Sequence, residues 1–545
     1  MTAPSRTAAG ATSLRKDKGR PFRRILIANR GEIAVRIIRT CRDLGIETVA
    51  VYSDADVDAL HVRSADVAVR LGTAPAGESY LRADAIVEAA LATGAEAIHP
   101  GYGFLSERAA FARAVTDAGL VFVGPSADAI EALGDKLAAR RTAQAAGVPV
   151  VPGTFQPVPV DRPDDVATVI AAAEAIGFPL LVKASAGGGG RGMRLVSKAS
   201  ELPAALAAGS AEAAAAFGDG AVYLEREVRP ARHIEVQLLG DADGTIVALG
   251  ERDCSIQRRH QKLVEESPAP GLTSEERAEL HDLATRAARS ARLHNAATAE
   301  FLFDAQRRFW FLEVNARLQV EHGVTELVTD LDLVAEQLWI AAGAPLSAAV
   351  MAAAAAGLDP TRHAIEVRLA AEDPSRAFAP SPGRVGTWQM PAGPDVRVDT
   401  AIRAGERVPP DYDPMIAKIM TVGPDRATAI DRMRRALDEV VVTGIQTTLP
   451  FDRALMRDPA FAAGDLSTDW VAMHWDGEAD RASTLDAAAW LAAVAADGPA
   501  STRSAARNPG EVAGSPRATP SLRKDASGSA WRNAGRTAAT DRWPR

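Results

Sequence analysis

The chain has 545 residues, 47% of them hydrophobic and 24% charged, with a formal net charge of -8 and two cysteines. That length holds roughly three domains with substantial cores, the balance excludes a wholly disordered or membrane-embedded chain, and the acidic charge excludes a general nucleic-acid binder. Cys41 and Cys254 are far apart and form no CxxC pair, so neither a disulfide framework nor a zinc site is expected and a reducing cytoplasm fits. Nowhere do about 18 apolar residues run uninterrupted, because Gly343, Pro345 and Ser347 break the Ala-rich stretch near Ile340 to Leu358, so no transmembrane helix is predicted. Met1 to Arg24 carries a basic cluster but no apolar core, which reads as a disordered leader (residues 1–21) rather than a secretory signal.

From Phe22 the pattern is strand, loop, helix, strand. Arg24 to Ala28 is extended, Ile33, Ile37, Ile38 and Leu44 give a helical period, Gly45 stops it, and Glu47 to Tyr52 forms the next strand. This βαβ unit lacks G-x-G-x-x-G, so no dinucleotide fingerprint is present. A further strand runs into His99-Pro100-Gly101-Tyr102-Gly103, a turn at a strand's carboxyl end where open α/β sheets hold ligands. Gly134-Asp135-Lys136 opens a helix. Leu180 to Ala184 then delivers Lys183 into the run Gly187 to Gly190, and a strand from Met193 to Val196 follows. This is predicted to be a hinged flap whose backbone N–H groups close over phosphates; it is not a P-loop, since G-x-x-x-x-G-K-[ST] is absent.

Val222 to Val228 is a short strand and linker. His233, Glu235 and Gln237 share one face of the next, and Glu251 to Lys262 is a dense basic cluster without an aromatic for base stacking. Thr298 to Phe303 and Phe309 to Glu313 are predicted to pair around Asp304 to Arg308, bringing Glu300 near Glu313. Two carboxylates meeting so are costly without a cation between them, which is the residue-level case for Mg²⁺. From Leu312 to Glu321 polar and apolar residues alternate without a break. Read as extended chain, Glu313, Asn315, Arg317, Gln319 and Glu321 share one face, a set suited to holding Mg²⁺ beside an anion. His363 to Leu369 alternates again, with Glu366 and Arg368 together. From about Gly477 periodicity fades, and residues 473–545 read as a mobile low-complexity tail.

Several of these stretches, taken in order, resemble the biotin carboxylases, ATP-grasp ligases that form a C–N bond to biotin. EVNARLQVEH matches the signature E-[MV]-N-x-R-[LI]-Q-V-E-H, with Ala316 where the family varies. NRGEIAVRIIR, HPGYGFLSE, KASAGGGGRGM, RHIEVQ and RDCSIQRRHQK each resemble a family motif. Arg108 stands where Asn is common, Ala186 replaces the usual Gly, and the 304–308 hairpin loop is slightly longer than in bacterial members. The resemblance covers about Phe22 to Trp470 and implies an α/β fold of three parts: a Rossmann-like N-terminal domain (22–135), an ATP-grasp domain (136–345, with a glycine-rich lid about 153–222) and a β-rich C-terminal domain (346–472).

By the same resemblance Lys136, Lys183, Gly189 and Gly190 hold ATP phosphates, while Glu225, Arg226, Glu227 and Val228 line the adenine. His233 and His260 contact the nucleotide, and Glu300, Glu313 and Asn315 ligate Mg²⁺ or Mn²⁺. Lys262, Arg317, Gln319, the Val320 backbone and Glu321 form the bicarbonate pocket, with Glu321 as base. Tyr102 and Arg368 serve biotin, Arg368 by stabilising its enolate. The implied reaction is ATP- and bicarbonate-dependent carboxylation of biotin through carboxyphosphate, the first half-reaction of a bacterial acetyl-/acyl-CoA carboxylase in fatty acid biosynthesis. No A-M-K-M attachment motif is present, so biotin is expected on a separate carrier protein, with a separate carboxyltransferase, a homodimeric chain and no nucleic-acid or membrane partner. Two rivals stand against this. A carbamoyl-phosphate synthetase-like ligase has no reason to keep Tyr102 and Arg368 in these settings, and a non-catalytic scaffold has no reason to keep every metal-ligand position.

Overall fold

A computed structural model describes residues 19–159, 163–185 and 193–496. Strands β1 (Arg24–Ile27), β2 (Glu47–Ser53), β3 (Val67–Gly72), β4 (Ala97–His99) and β5 (Val121–Phe122) form a parallel sheet in the order β3-β2-β1-β4-β5. Helix Gly31–Asp43 crosses from β1 to β2, as the 3.6-residue period predicts, and Gly45 ends it with a φ of 69°. The strand order reverses beside β1, so the carboxyl ends of β1 and β4 frame a crevice. Asn29 spans it, donating to Pro100 O at 2.7 Å and Tyr102 O at 2.8 Å.

A small antiparallel sheet follows, β7-β6-β8, from β6 (Leu180–Ala184), β7 (Arg194–Val196) and β8 (Val222–Arg226). Leu180, Val182, Val196 and Leu224 give it its own core. The predicted flap thus has both flanking strands, while its glycines, Gly189 and Gly190 among them, lie outside the described residues.

Apart from six two-residue strands that pair into three small sheets, the other strands among the described residues are β9 (Ala231–Gly240), β10 (Ile246–Arg258), β11 (Gln261–Ser267), β12 (Asn295–Asp304), β13 (Phe309–Asn315) and β14 (His363–Ala370), with strands Met415–Gly423 and Val396–Thr400. They make one eight-stranded antiparallel sheet, β13-β12-β9-β10-β11-β14 and then the last two. Because β11 pairs with β14, the ATP-grasp and C-terminal segments share a continuous sheet, with Glu265 opposite Glu366. The apolar side of β12–β13 packs into the core through Phe301 and Phe311, whose rings meet edge to face at 5.8 Å.

The structure departs from the sequence reading at two places. Strand β13 ends at Asn315, so the alternating stretch is not extended to Glu321. Ala316 to Glu321 turns away, and helix His322–Thr329 begins with Glu321 at its N-cap. Polar contacts of the turn itself outweigh the period-2 pattern: Arg317 Nη1 donates to Gln319 Oε1 at 2.8 Å, and Lys418 Nζ to Val320 O at 2.6 Å. The second departure is in the predicted tail, where Gly477–Ala496 is a 20-residue helix; residues 497–545 of that tail, and residues 1–18 of the predicted leader, lie outside the described residues. Alanine's high helix propensity carries the helix without an apolar stripe, and Trp490 remains 66% exposed. Among the described residues no helix is long and apolar enough to cross a membrane.

One buried acid outside the site carries its own prediction. Asp452 is fully buried and accepts from Thr448 Oγ1 at 3.0 Å, and burial pushes its carboxyl well above the usual range. A carboxyl whose folded pKa is raised favours folding below its ordinary pKa, about 4, and loses that contribution as pH rises through the raised value. Asp452→Asn is therefore expected to gain stability relative to the wild type between pH 5 and pH 9. Denaturant midpoints of both proteins at several pH values check it, and a difference independent of pH counts against a protonated Asp452.

Candidate active site

At the middle of the large sheet lies Lys262, on β11 just past the β10–β11 hairpin. Its ammonium donates to Glu235 on β9 at 2.5 Å, to Glu300 on β12 at 3.0 Å and to Glu321 at 2.7 Å. Burial works against its charge, but the three carboxylates outweigh that and hold its pKa well above the ordinary lysine value. Glu321 is fully buried. Burial pushes its carboxyl up, yet Lys262, Arg368 and Arg252 overcome this and hold it well below the carboxylate range. Its second oxygen accepts from Arg368 Nη2 at 2.9 Å.

Glu300 collects the most partners. His233 Nε2 lies 2.9 Å from one oxygen, and the other accepts from Lys262, from Asn315 Nδ2 at 2.8 Å and from Gln319 Nε2 at 3.2 Å. Against the push of burial, Lys262 and His233 keep it ionised. Arg317 spans the outer side, with Nε on Glu107 at 2.8 Å, Nη1 on Gln319 and Nη2 on Asn315 Oδ1 at 3.0 Å. The structure thus gathers Lys262, Glu300, Asn315, Arg317, Gln319, Val320, Glu321, His233 and Arg368, although the turn, not a straight strand, does it.

The register of β12 and β13 pairs Glu300 with Glu313 as predicted. Glu313 is ion-paired with Lys136, at the start of helix Lys136–Ala145, where Asp135 caps the N-terminus. Burial opposes the Lys136 charge and Glu313 raises it. Lys183 Nζ donates to Glu225 at 2.7 Å, and Glu225 is also paired with the buried Arg140. Glu225 therefore meets two cations where the sequence reading gave it only the adenine amino group. Arg226 lies over the Trp310 ring, Glu227 is 2.8 Å from Arg229, and Val228 is half-buried in the turn to β9. His260 occupies the exposed β10–β11 hairpin with a φ of 66°, and burial with nearby Lys183 and His233 lowers its pKa. Tyr102 stands apart from the Lys262 cluster: its hydroxyl donates to Glu32.

The sequence reading assigned no role to Glu235, Arg252, Glu265, Arg140, Glu107 or Lys418. Arg252, fully buried, donates to Gln237 at 2.8 Å and Thr325 at 2.9 Å and pairs with Glu235, so it frames the cluster from below. Glu265 contacts Arg368, and burial raises its pKa to about 7. The signal for Glu235 was available, since it shares the period-2 face of His233 and Gln237. Among the described residues, two three-residue groups bring ligand atoms within 4.8 Å of one another: His233, Glu235 and Glu300, and Glu235, Cys254 and Glu321.

Known proteins give this geometry its context. Residues 21–130 match the family model of the biotin carboxylase N-terminal domain, 135–349 that of the carbamoyl-phosphate synthase L chain ATP binding domain, and 366–473 that of the biotin carboxylase C-terminal domain. The chain is 48% identical over 450 residues to a biotin carboxylase of Nostoc sp., spanning 83% of this chain and 98% of that one. It is 47% identical to a pyruvate carboxylase subunit of Methanothermobacter thermautotrophicus, over 83% of this chain and 89% of that one. Among solved structures it resembles a biotin carboxylase of Campylobacter jejuni (TM-score 0.79, 42% identity, 83% and 99% covered). It also resembles the biotin carboxylase domain dimer of a Hydrogenobacter thermophilus 2-oxoglutarate carboxylase with MgADP, ADP and bicarbonate (TM-score 0.79, 43% identity, 83% and 98% covered).

An ATP-binding domain set between these two partners defines an ATP-dependent ligase of the ATP-grasp class. The chain belongs to the biotin carboxylase family, whose reaction is the ATP- and bicarbonate-dependent carboxylation of biotin.

Proposed function

We propose that the chain carries out the first half-reaction of an acyl-CoA carboxylase, acetyl-CoA carboxylase of fatty acid biosynthesis being the favoured case, on biotin borne by a separate carrier protein. The observation that carries the site assignment is one lysine, Lys262, held by three buried carboxylates beside two arginines. Such a group is an anion site with a base in it. Bicarbonate seats between Lys262 and Arg317, with Gln319 and the Val320 backbone completing the pocket. The incoming anion takes up part of the Lys262 charge that depresses Glu321, so Glu321 becomes a stronger base as the bicarbonate proton is to be removed. Bicarbonate oxygen then attacks the γ-phosphorus of ATP, ADP leaves, and carboxyphosphate forms. It breaks into CO₂ and phosphate; the phosphate removes the N1′ proton of biotin, and the enolate, its oxygen facing Arg368 near Tyr102, attacks CO₂.

Lys136 and Lys183 meet the ATP phosphates with Gly189 and Gly190, and Glu225 to Val228, His233 and His260 surround the nucleotide. Glu300, Glu313 and the Asn315 amide oxygen are a hard, all-oxygen donor set that would hold Mg²⁺ or Mn²⁺. When bound, the metal would neutralise charge on the transferring phosphoryl group. The relative that is one subunit of a pyruvate carboxylase supports separate carrier and carboxyltransferase chains, and the solved domain dimer supports a homodimer. The two cysteines, both buried and free, fit a reducing cytoplasm.

The experiment is bicarbonate-dependent ADP release by the purified chain with and without free biotin. Strong stimulation by biotin supports the reading; release indifferent to both biotin and bicarbonate rejects it. The acyl-CoA is tested by reconstitution with carrier and carboxyltransferase over acetyl-, propionyl-CoA and pyruvate, and carboxylation of pyruvate alone rejects the acyl-CoA assignment.

A further inference from the structure

Lys418 is a fully buried lysine that the reaction scheme leaves without a task. It lies on strand Met415–Gly423 directly opposite Arg368 of β14. Two cations paired across antiparallel strands repel, and such a pair persists only where carboxylates surround it. Here Glu32, Glu265, Glu321 and Glu366 do so. The two cations grip consecutive residues of the same turn: Arg368 Nη2 binds the Glu321 carboxylate at 2.9 Å, and Lys418 Nζ binds the Val320 carbonyl at 2.6 Å. The start of the helix that follows the turn is pressed onto this strand, since a Cβ at Gly323 would stand 2.3 Å from Met420 Sδ. On its other side Lys418 Nζ lies 3.5 Å from Glu32 Oε1, the oxygen that accepts the Tyr102 hydroxyl.

Tyr102, Glu32, Lys418 and Val320 therefore form one chain of contacts, buried at Glu32 and Lys418, drawn from three parts of the fold. Glu32 comes from helix Gly31–Asp43 and Tyr102 from the turn after β4, Lys418 from the C-terminal strands, and Val320 from the turn that carries Glu321. We propose that Lys418 is a positioning residue that fixes the Val320–Glu321 turn for bicarbonate and, through Glu32, ties that turn to the acceptor side of the site at Tyr102. This rests on the reading of Tyr102 as lying on the biotin side and of Val320 and Glu321 as lying on the bicarbonate side. A turn held at both residues keeps the Glu321 carboxylate aimed; released at Val320, it loses the contact on the residue next to that carboxylate. Displacement of a reacting group by about 1 Å lowers rates by as much as about a hundredfold.

The test uses Lys418→Met, Lys418→Arg and Glu32→Gln in the full chain, reading ADP release with and without free biotin, the KM for bicarbonate, and the melting temperature. Lys418→Met is expected to raise the bicarbonate KM about tenfold and to lower the ratio of biotin-stimulated to unstimulated turnover about fivefold, with Lys418→Arg restoring most of both. Glu32→Gln is expected to lower the stimulation ratio while leaving the bicarbonate KM within about twofold, a split that general loosening of the fold does not produce. A Lys418→Met protein with wild-type KM and stimulation overturns the inference. Should that variant fail to fold, a Glu32→Gln protein with unchanged stimulation overturns it instead. Absence of biotin stimulation in the wild type rejects the functional reading itself, a separate outcome from failure of the variants.

Discussion

Lys262→Met is expected to abolish bicarbonate-dependent ATP turnover and to destabilise the protein by about 3–5 kcal/mol at neutral pH. One ammonium answers three carboxylates that water does not reach: Glu235 and Glu321 are wholly buried and Glu300 is 6% exposed. Arg252 and Arg368 still face Glu235 and Glu321 after the substitution, but Glu300 keeps only His233 and two neutral amides. The pH dependence reverses with it. In the wild type the depressed pKa of Glu300 and Glu321 means that their contribution is present above the ordinary carboxylate value, about 4.3, and is lost as pH falls. In the variant Glu300 is buried without its lysine, its pKa rises, and the folded state is favoured by its protonation. The deficit relative to the wild type is therefore expected to be smaller at pH 5 than at pH 8. Chemical denaturation at both pH values measures it, and a variant as stable as the wild type at pH 8 contradicts the balance described for the cluster.

Local pattern made much of this architecture legible, and its failures have identifiable causes. The βαβ opening, the β12–β13 pairing that sets Glu300 against Glu313, and the helix begun at Lys136 are each specified by neighbours in sequence: a 3.6-residue period, a period of two around a short turn, an aspartate cap. The candidate site residues were named from ordered motifs, and the structure brings nine of them, Lys262 included, into one cluster. What sequence hid was pairing over distance. Nothing local shows that Glu265 faces Arg368, that Arg140 shares Glu225 with Lys183, or that Lys418 reaches the Val320 carbonyl, because those contacts join residues far apart in the chain, 98 apart for Lys418 and Val320. The period-2 run from Leu312 to Glu321 misled for a related reason: alternation records which side chains face the core, and a turn fixed by Arg317 and Lys418 satisfies the same alternation as a strand. At Gly477 the opposite error arose, where an Ala-rich segment without a stripe folds as a helix on intrinsic propensity.

Arg317→Ala is expected to lower biotin carboxylation by about a thousandfold while leaving ATP binding within a few-fold of the wild type. The division follows from where its three nitrogens point. All three lie on the turn side of the site, toward Glu107, Gln319 and Asn315, whereas Lys136 and Lys183 hold Glu313 and Glu225 on the other. Removing the guanidinium takes a preorganised donor from the position where anionic charge collects, a loss of about 10²–10³ in rate for comparable donors, and it releases Asn315 and Gln319 together. Little folding stability is lost, because Glu107 is 41% exposed and is solvated once its partner is gone. Arg317→Lys is expected to recover only a small part of the rate, since an ammonium cannot address three acceptors in the plane of a guanidinium fork. Turnover with saturating biotin and bicarbonate, set beside ATP affinity from titration calorimetry, separates the cases. Retained turnover removes Arg317 from the bicarbonate site, and a parallel fall in ATP affinity would move it to the nucleotide side, where the geometry gives it no partner.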